Sequence, residues 1–570
     1  CTAPAHLWPL PSTMSSRVFH LAIVCFAAAL SAASSARIPV VTELGAPTPA
    51  ASVKKLSHKW ALLIAGSSGW GNYRHQADVY HAYQVLKRGG LSDSRIVVMH
   101  YDDIAHNPLN PHPGTVINRP GGPDVYAGVP KDYTGEDVTA EVFLAVLAGS
   151  HHGVRHTKGS KKVLLPTPHD EVFLYFADHG GPGLLGMPNS PALIAGDFVS
   201  TLRKMAGQAE LSNATQNPAR DGGAKTFDTM TVYVEACESG SVFDGVLPPG
   251  LGIFAETAAN PAESSWGTYC PGQKQPPPRG YGTCLGDLYS VSFLENSDTV
   301  DLRKETLLAQ YHDVKRRVSA NNTFKEGSHV MRYGARHIDR QEASDFMGRG
   351  NKGGFKPRQA QQAPNATGQE EEDVQVHQRD AELLPLWHAL MHGSSPAARS
   401  LASKQLRAEL DARDTLDTSM KEATNRAMTA VINARSNAVF SDPAAAAAAA
   451  ADVVLAAVRP AGQALVDDWE CFRNMLDAWV EACGYLSQYG MKHGRVFANM
   501  CNAGVRPKDF AAAAATTSCR EGGGGVTYGQ TISGGGGGSG VVSTTAGAGA
   551  SGDSVSLGSG DGGDVATAVA

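Results

Sequence analysis

The chain has 570 residues, 42% of them hydrophobic and 18% charged, with a formal net charge of −6. That length exceeds one ordinary domain and implies two, with linkers and tails. So small an acidic excess, spread over so long a chain, gives no reason to expect a nucleic-acid partner. Residues 1–13 carry no structural reading. Residues 14–36 read as a secretory signal, with Arg17 as basic flank, Leu21 to Leu30 as apolar stretch and Ser34-Ser35-Ala36 as cleavage site. The apolar stretch is too short to span a bilayer, and no later run reaches about 18 apolar residues. The mature protein is expected to be soluble and lumenal, free of membrane once the signal is removed.

Residues 37–55 are left as an N-terminal propeptide. Strands are then predicted at 60–66, 96–101, 172–177, 230–236 and 251–255, and helices at 78–88 and 137–148. This alternation predicts an α/β domain with a largely parallel sheet over residues 56–340. Residues 341–380 lack periodicity and are rich in Gly, Gln, Asn and Pro, the pattern of an exposed linker. Residues 381–520 turn helical; their alanine run starts after Ser441-Asp442-Pro443, a sound helix N-terminus. The Gly/Ser-rich stretch 521–570 reads as a disordered tail.

Two short apolar runs end in reactive side chains: Val172-Phe-Leu-Tyr-Phe-Ala-Asp-His179-Gly-Gly181 and Thr231-Val-Tyr-Val-Glu-Ala-Cys237-Glu-Ser-Gly240. A parallel sheet delivers functional groups at the C-terminal ends of its strands. A His about fifty residues before a single Cys is also the order of caspase-type peptidases. Cys237 is thus the candidate nucleophile and His179 its base, an imidazolium there being the usual device for holding a thiolate. The glycines after His179 let backbone N–H groups approach an oxyanion, and the amides of Gly180 and Cys237 are the candidates.

Of nine cysteines, Cys1 and Cys25 fall in the leader region. Cys270 and Cys284 bracket a proline-rich loop, and Cys471, Cys483, Cys501 and Cys519 cluster near the end. In an oxidising compartment six pair and Cys237 is left over, though four clustered cysteines allow three connectivities. The chemistry calls for neither cofactor nor metal. His151, His152 and His156 have metal-like spacing but sit in a Gly/Lys-rich loop without matching ligands. Asn213, Asn321 and Asn365 head acceptor motifs for N-glycans.

Longer stretches carry a resemblance. Ala65-Gly-Ser-Ser-Gly-Trp-Gly-Asn-Tyr-Arg-His-Gln-Ala-Asp78, Tyr101-Asp-Asp103, Ile117-Asn-Arg-Pro120, Val129-Pro-Lys-Asp-Tyr-Thr-Gly-Glu-Asp137, Asp178-His-Gly180, Glu235-Ala-Cys-Glu-Ser-Gly240 and Leu285-Gly-Asp287 resemble the legumain family. These are the asparaginyl endopeptidases, or vacuolar processing enzymes, of the caspase-like clan. The resemblance covers residues 56 to 340 and resumes from Asp468-Trp-Glu-Cys471 to Asn499-Met-Cys-Asn502, which are similar to the plant-type prodomain.

The resemblance implies a caspase-like fold and an all-α prodomain stapled by Cys471–Cys501 and Cys483–Cys519. It also implies that Asn72 orients His179. Arg74, His75, Glu235, Ser264 and Asp287 would then line the pocket for the residue before the scissile bond. The implied enzyme is a vacuolar cysteine endopeptidase cutting protein and peptide substrates after Asn, or after Asp at low pH. An Asn side chain presents an acceptor and two donors, so a cation beside carboxylates suits it. A transpeptidase on the same scaffold is the alternative; Gly267, after Trp266, looks like the hydrolytic type. A non-catalytic homologue is disfavoured by the intact Cys237, His179 and pocket, and a membrane-bound transamidase by the missing membrane segment. The prodomain is expected to inhibit the enzyme until carboxylates at the contact lose their charge, at about pH 4 to 5, when the enzyme cuts its own linker.

Overall fold

The computed structural model describes residues 58–189, 191–208, 223–323, 327–349, 376–435, 443–517 and 519. The signal, the N-terminal propeptide, most of the linker, the tail, Asn213 and Asn365 lie outside the described residues.

Hydrophobic strands buried on both faces build the central sheet. Its members are β1 (Lys59–Ala65), β2 (Ile96–His100), β3 (Tyr133–Thr134), β4 (Glu171–Ala177), β8 (Thr229–Glu235), β9 (Ile253–Thr257) and β12 (Met331–Gly334), in the order β12-β9-β8-β4-β1-β2-β3. All neighbours are parallel except β12 against β9. Side chains alternate between faces, so Ala61, Leu63 and Ala65 enter one core while Leu62 and Ile64 enter the other. The first core is closed by α1 (Tyr73–Arg88), α4 (Leu288–Thr299), α5 (Leu307–Val318) and the short α6 (Ser344–Met347). The second is closed by α2 (Ala140–Leu147) and α3 (Ala195–Met205).

Two small sheets flank the end where the parallel strands finish. One joins β5 (Gly180–Gly181), β6 (Leu184–Leu185) and β7 (Leu193–Ile194). The other joins β10 (Trp266–Thr268) to β11 (Gly286–Asp287) on one side and to β13 (Val376–His377) on the other.

After β13 come α7 (Gln378–Ala381), α8 (Leu384–His392), the long α9 (Pro396–Arg435), α10 (Pro443–Ala456), α11 (Trp469–Cys483), α12 (Gly494–Asn502) and α13 (Pro507–Ala514). Met475, Trp479, Phe497 and Phe510 anchor the core shared by α9 to α13, which also takes in Leu184 and Ile194 of the sheet domain. The fold is therefore the expected one, a largely parallel sheet flanked by helices followed by an all-helical module. Disulfides join Cys471 to Cys501, Cys483 to Cys519 and Cys270 to Cys284; Cys237 is free and buried. No described helix is long and apolar enough to cross a membrane. His151, His152 and His156 lie exposed in a turn.

Two expectations about local structure need correction. Helix α1 starts at Tyr73, five residues before the predicted start at 78. Its first turn buries Arg74, His75 and Gln76, polar residues that hide the helical period because they face a polar site. The segment read as an exposed linker over 341–380 is buried at both described ends. Ala343, Phe346 and Met347 pack into the first core, while Gln378 and Arg379 are buried at the other end.

Candidate active site

Register brings the reactive pair together. Ala177 of β4 pairs with Glu235 of β8, so His179 and Cys237, each two residues farther on, leave the sheet side by side. Gly180 crosses close behind them: a Cβ there would lie 2.5 Å from the Cys237 carbonyl oxygen and 2.9 Å from Ala236 Cβ. Only glycine fits so near an approach.

Asn72 is bonded to His179. Its amide nitrogen donates to Ser68 O at 3.1 Å and to Gln488 Oε1 at 2.8 Å, which turns Oδ1 toward His179 Nε2 at 2.7 Å. The same Nε2 also lies 3.3 Å from Arg74 Nη2, and Nδ1 is left buried without a hydrogen-bond partner among the described residues. Burial, then Arg74 and Arg379, hold His179 well below its ordinary range. Burial raises the Cys237 thiol, opposed by Arg379. In this covered state burial works against both members of the thiolate–imidazolium pair. Low dielectric disfavours both charges and two guanidinium groups disfavour a third cation.

Beside the pair lies a polar pocket. Arg74 donates from Nε to Asp287 Oδ1 at 2.9 Å and from Nη1 to Gly71 O at 2.9 Å. His75 Nδ1 meets Ser67 Oγ at 2.6 Å, and its Nε2 lies 3.5 Å from Asp287 Oδ2. Glu235 Oε2 accepts from the backbone and hydroxyl of Ser290, and burial together with Asp287 pushes its pKa up to about 8.

The pocket is occupied by the chain's own segment. β13 runs antiparallel to β10, with His377 opposite Trp266 and Val376 opposite Gly267. The carboxamide of Gln378 then enters the pocket. Its Nε2 lies 3.3 Å from His75 Nε2 and from Asp178 O, and 3.4 Å from Asp287 Oδ1. Its Oε1 accepts from Cys237 Sγ at 3.1 Å, and its peptide oxygen accepts from Arg74 Nη2 at 3.2 Å. The next residue, Arg379, is held by Glu238, Ser264 Oγ and Gly180 O. Arg413 of α9 clamps this strap from outside, donating to Asp380, to Arg379 O and to Glu382.

Comparison with known proteins decides what this arrangement belongs to. Residues 59–349 match the model of the Peptidase C13 family, and residues 404–519 match that of the legumain prodomain. The chain belongs to the peptidase C13 family. It is 47% identical over 449 residues to the vacuolar-processing enzyme beta-isozyme of Arabidopsis thaliana, covering 78% of this chain and 83% of that one. It is 45% identical to the vacuolar-processing enzyme of Ricinus communis (81% and 85% covered) and 44% identical to legumain of Canavalia ensiformis (78% and 86% covered).

This C13 chain is a cysteine endopeptidase carrying its own inhibitory prodomain. The prodomain lies over the site: a Cβ on Gly181 would come within 2.0 Å of Met491 O, and Gln488 reaches Asn72. Of the residues expected to line the pocket, Arg74, His75 and Asp287 meet Gln378, and Glu235 stands beside Asp287. Ser264 instead bonds Arg379 in an adjoining recess. Sequence reading missed Gln378, Arg379, Glu238 and Arg413. Gln378 and Arg379 sit in a stretch that reads as linker, and no local pattern links them to a site 141 residues upstream. It also missed Asp78, which accepts from the Asp287 backbone at 3.1 Å and from Asn118 at 2.7 Å and so holds the β11 turn in place.

Proposed function

We propose that the enzyme cleaves peptide bonds after Asn, and after Asp when that side chain is protonated. The observation that carries this is the Gln378 carboxamide held among His75, the Asp178 carbonyl and Asp287. Asn has the same head group on a stem one methylene shorter. A site of buried charges that must be bonded rejects apolar side chains strongly.

Cys237 Sγ attacks the carbonyl carbon after Asn while His179 Nδ1, unpartnered in the covered state, takes the thiol proton. The developing oxyanion is received by the amides of Gly180 and Cys237. His179 passes its proton to the leaving amine as the C–N bond breaks, leaving a thioester. Water, activated by the same imidazole, then breaks the C–S bond and frees the acid. The precursor is latent because the strap fills the pocket with its thiol-facing group a side-chain amide, while its peptide carbonyl is held by Arg74. It is a vacuolar zymogen of the secretory pathway that opens in acid and cuts its own linker, glycosylated at the exposed Asn321.

The test is to incubate the full-length chain with Asn, Asp, Gln and Ala peptides between about pH 4 and 7, with and without an amine acceptor, and to weigh the products. Hydrolysis after Asn, and after Asp only in acid, is expected; equal cutting after Ala refutes the assignment.

A further inference from the structure

Arg379 lies in a recess built for a cation. Its guanidinium donates to Glu238 Oε2 at 2.5 Å and Oε1 at 3.3 Å, to Ser264 Oγ at 2.6 Å and to Gly180 O at 3.0 Å. Glu238 is 7% exposed and adopts a left-handed backbone (φ 46°), unusual outside glycine, with its amide on Glu263 O at 2.7 Å. Two of the acceptors stand immediately after the reactive pair in sequence, Glu238 after Cys237 and Gly180 after His179. The strap enters along β10, puts Gln378 in the pocket and then Arg379 in this recess. The recess therefore lies on the side where the leaving half of a substrate would go.

The cations facing Glu238 are Arg379 of the strap and Arg495 of the prodomain; the other charged group near it is Glu263, which is bonded to His329. Both cations depart with the inhibitory segment. A carboxylate left in a crevice without its partner is costly, and a charged substrate group that restores the pair gains that difference.

We propose that this recess is a specificity site for a basic side chain on the residue following the scissile bond, with arginine favoured because its planar fork meets a carboxylate and two further acceptors at once. The inference rests on the proposed cleavage after Asn. It makes Glu238 and Ser264 determinants of the leaving-half sequence, distinct from the Arg74–Asp287 pocket.

The experiment uses full-length chain opened by acid, then assayed at about pH 6, where a carboxylate is ordinarily ionised. Four peptides differ only in the residue after Asn: Arg, Lys, Ala or Glu. The value of kcat/KM for Arg should exceed that for Ala on the order of tenfold, with Glu below Ala. In Glu238→Gln the Arg-to-Glu ratio should fall toward one, and Ser264→Ala should lower it partway. Rates within about twofold across the wild-type series overturn the inference alone, as does a ratio unchanged in Glu238→Gln. Failure to cut any of the four after Asn overturns the proposed function and this inference with it.

Discussion

The Cys237 thiol donates to the side-chain oxygen of Gln378, 141 residues away in sequence, at 3.1 Å. The nucleophile thus faces an amide it does not cut, while the cleavable carbonyl of the same residue turns to Arg74. Inhibition here resembles a substrate bound out of line.

Cys237→Ala should abolish peptide cleavage and leave the fold intact, since among the described residues the lost sulfur meets the strap, Ser264 and Ser265. Linker processing should stop in the same variant held alone in acid, read on a gel. Retained turnover or unaided processing would remove Cys237 from the chemistry.

Pocket selectivity should depend on Asp287. It accepts from Arg74 and stands 3.4 Å from the Gln378 amide nitrogen. Asp287→Asn leaves the buried Arg74 guanidinium short of its partner and removes an acceptor for substrate, so kcat/KM on Asn peptides should drop about 100-fold or more. A drop of less than about threefold would show that the selecting group lies elsewhere.

Arg413 should be the residue on which latency rests. Its side chain is buried together with that of Glu382, and it also binds Asp380 and Arg379 O. Removing one partner of such a pair costs about 3 kcal/mol, so Arg413→Ala should raise the active fraction of neutral precursor about 100-fold. Labelling of Cys237 by an alkylating reagent at neutral pH measures it; no increase would place the lock on Arg379 instead.

Acid opening should be driven by imidazoles. Burial and Arg379 lower the pKa of His377, and burial with His392 lowers that of His388. A group whose pKa is lower when docked takes up its proton more readily once undocked. The covered state is therefore fully supported above about pH 6.5 and weakens as pH falls through the docked values. Burial moves Glu238 and Glu382 the other way, Glu382 to about 7. Protonation of Glu382, which leaves with the strap, favours the covered state, whereas Glu238 stays behind in the peptidase domain and loses Arg379 and Arg495 on release. His377→Gln combined with His388→Gln should shift the midpoint of self-processing to lower pH, followed on gels from about pH 4 to 7. A midpoint that stays put or rises would return the trigger to other groups.

Some of this was legible without coordinates because it is local. The short runs of β-branched and aromatic residues ending at Asp178-His179 and Ala236-Cys237 specify buried strands, and the glycines beyond them specify a turn. Counting cysteines isolates Cys237 because covalent pairing leaves an odd thiol. The Asn72, Arg74, His75 and Asp287 positions came from resemblance, since a polar pocket drawn from α1 and β11 has no period of its own.

What the tertiary structure alone decided is what covers the site. Val376 to Arg379 is a short polar stretch with too little apolar content to declare a partner, and its bonds to Cys237, Glu238 and Arg74 span from 141 to 304 residues. The same holds for charge. The sequence supplies a Cys, a His and several carboxylates with their ordinary affinities for protons. Burial beneath the prodomain, with Arg74, Arg379 and Arg413 nearby, disfavours charge on the pair and moves the carboxylates and imidazoles in opposite directions. Those shifts depend on distance and dielectric, and neither quantity is written along the chain.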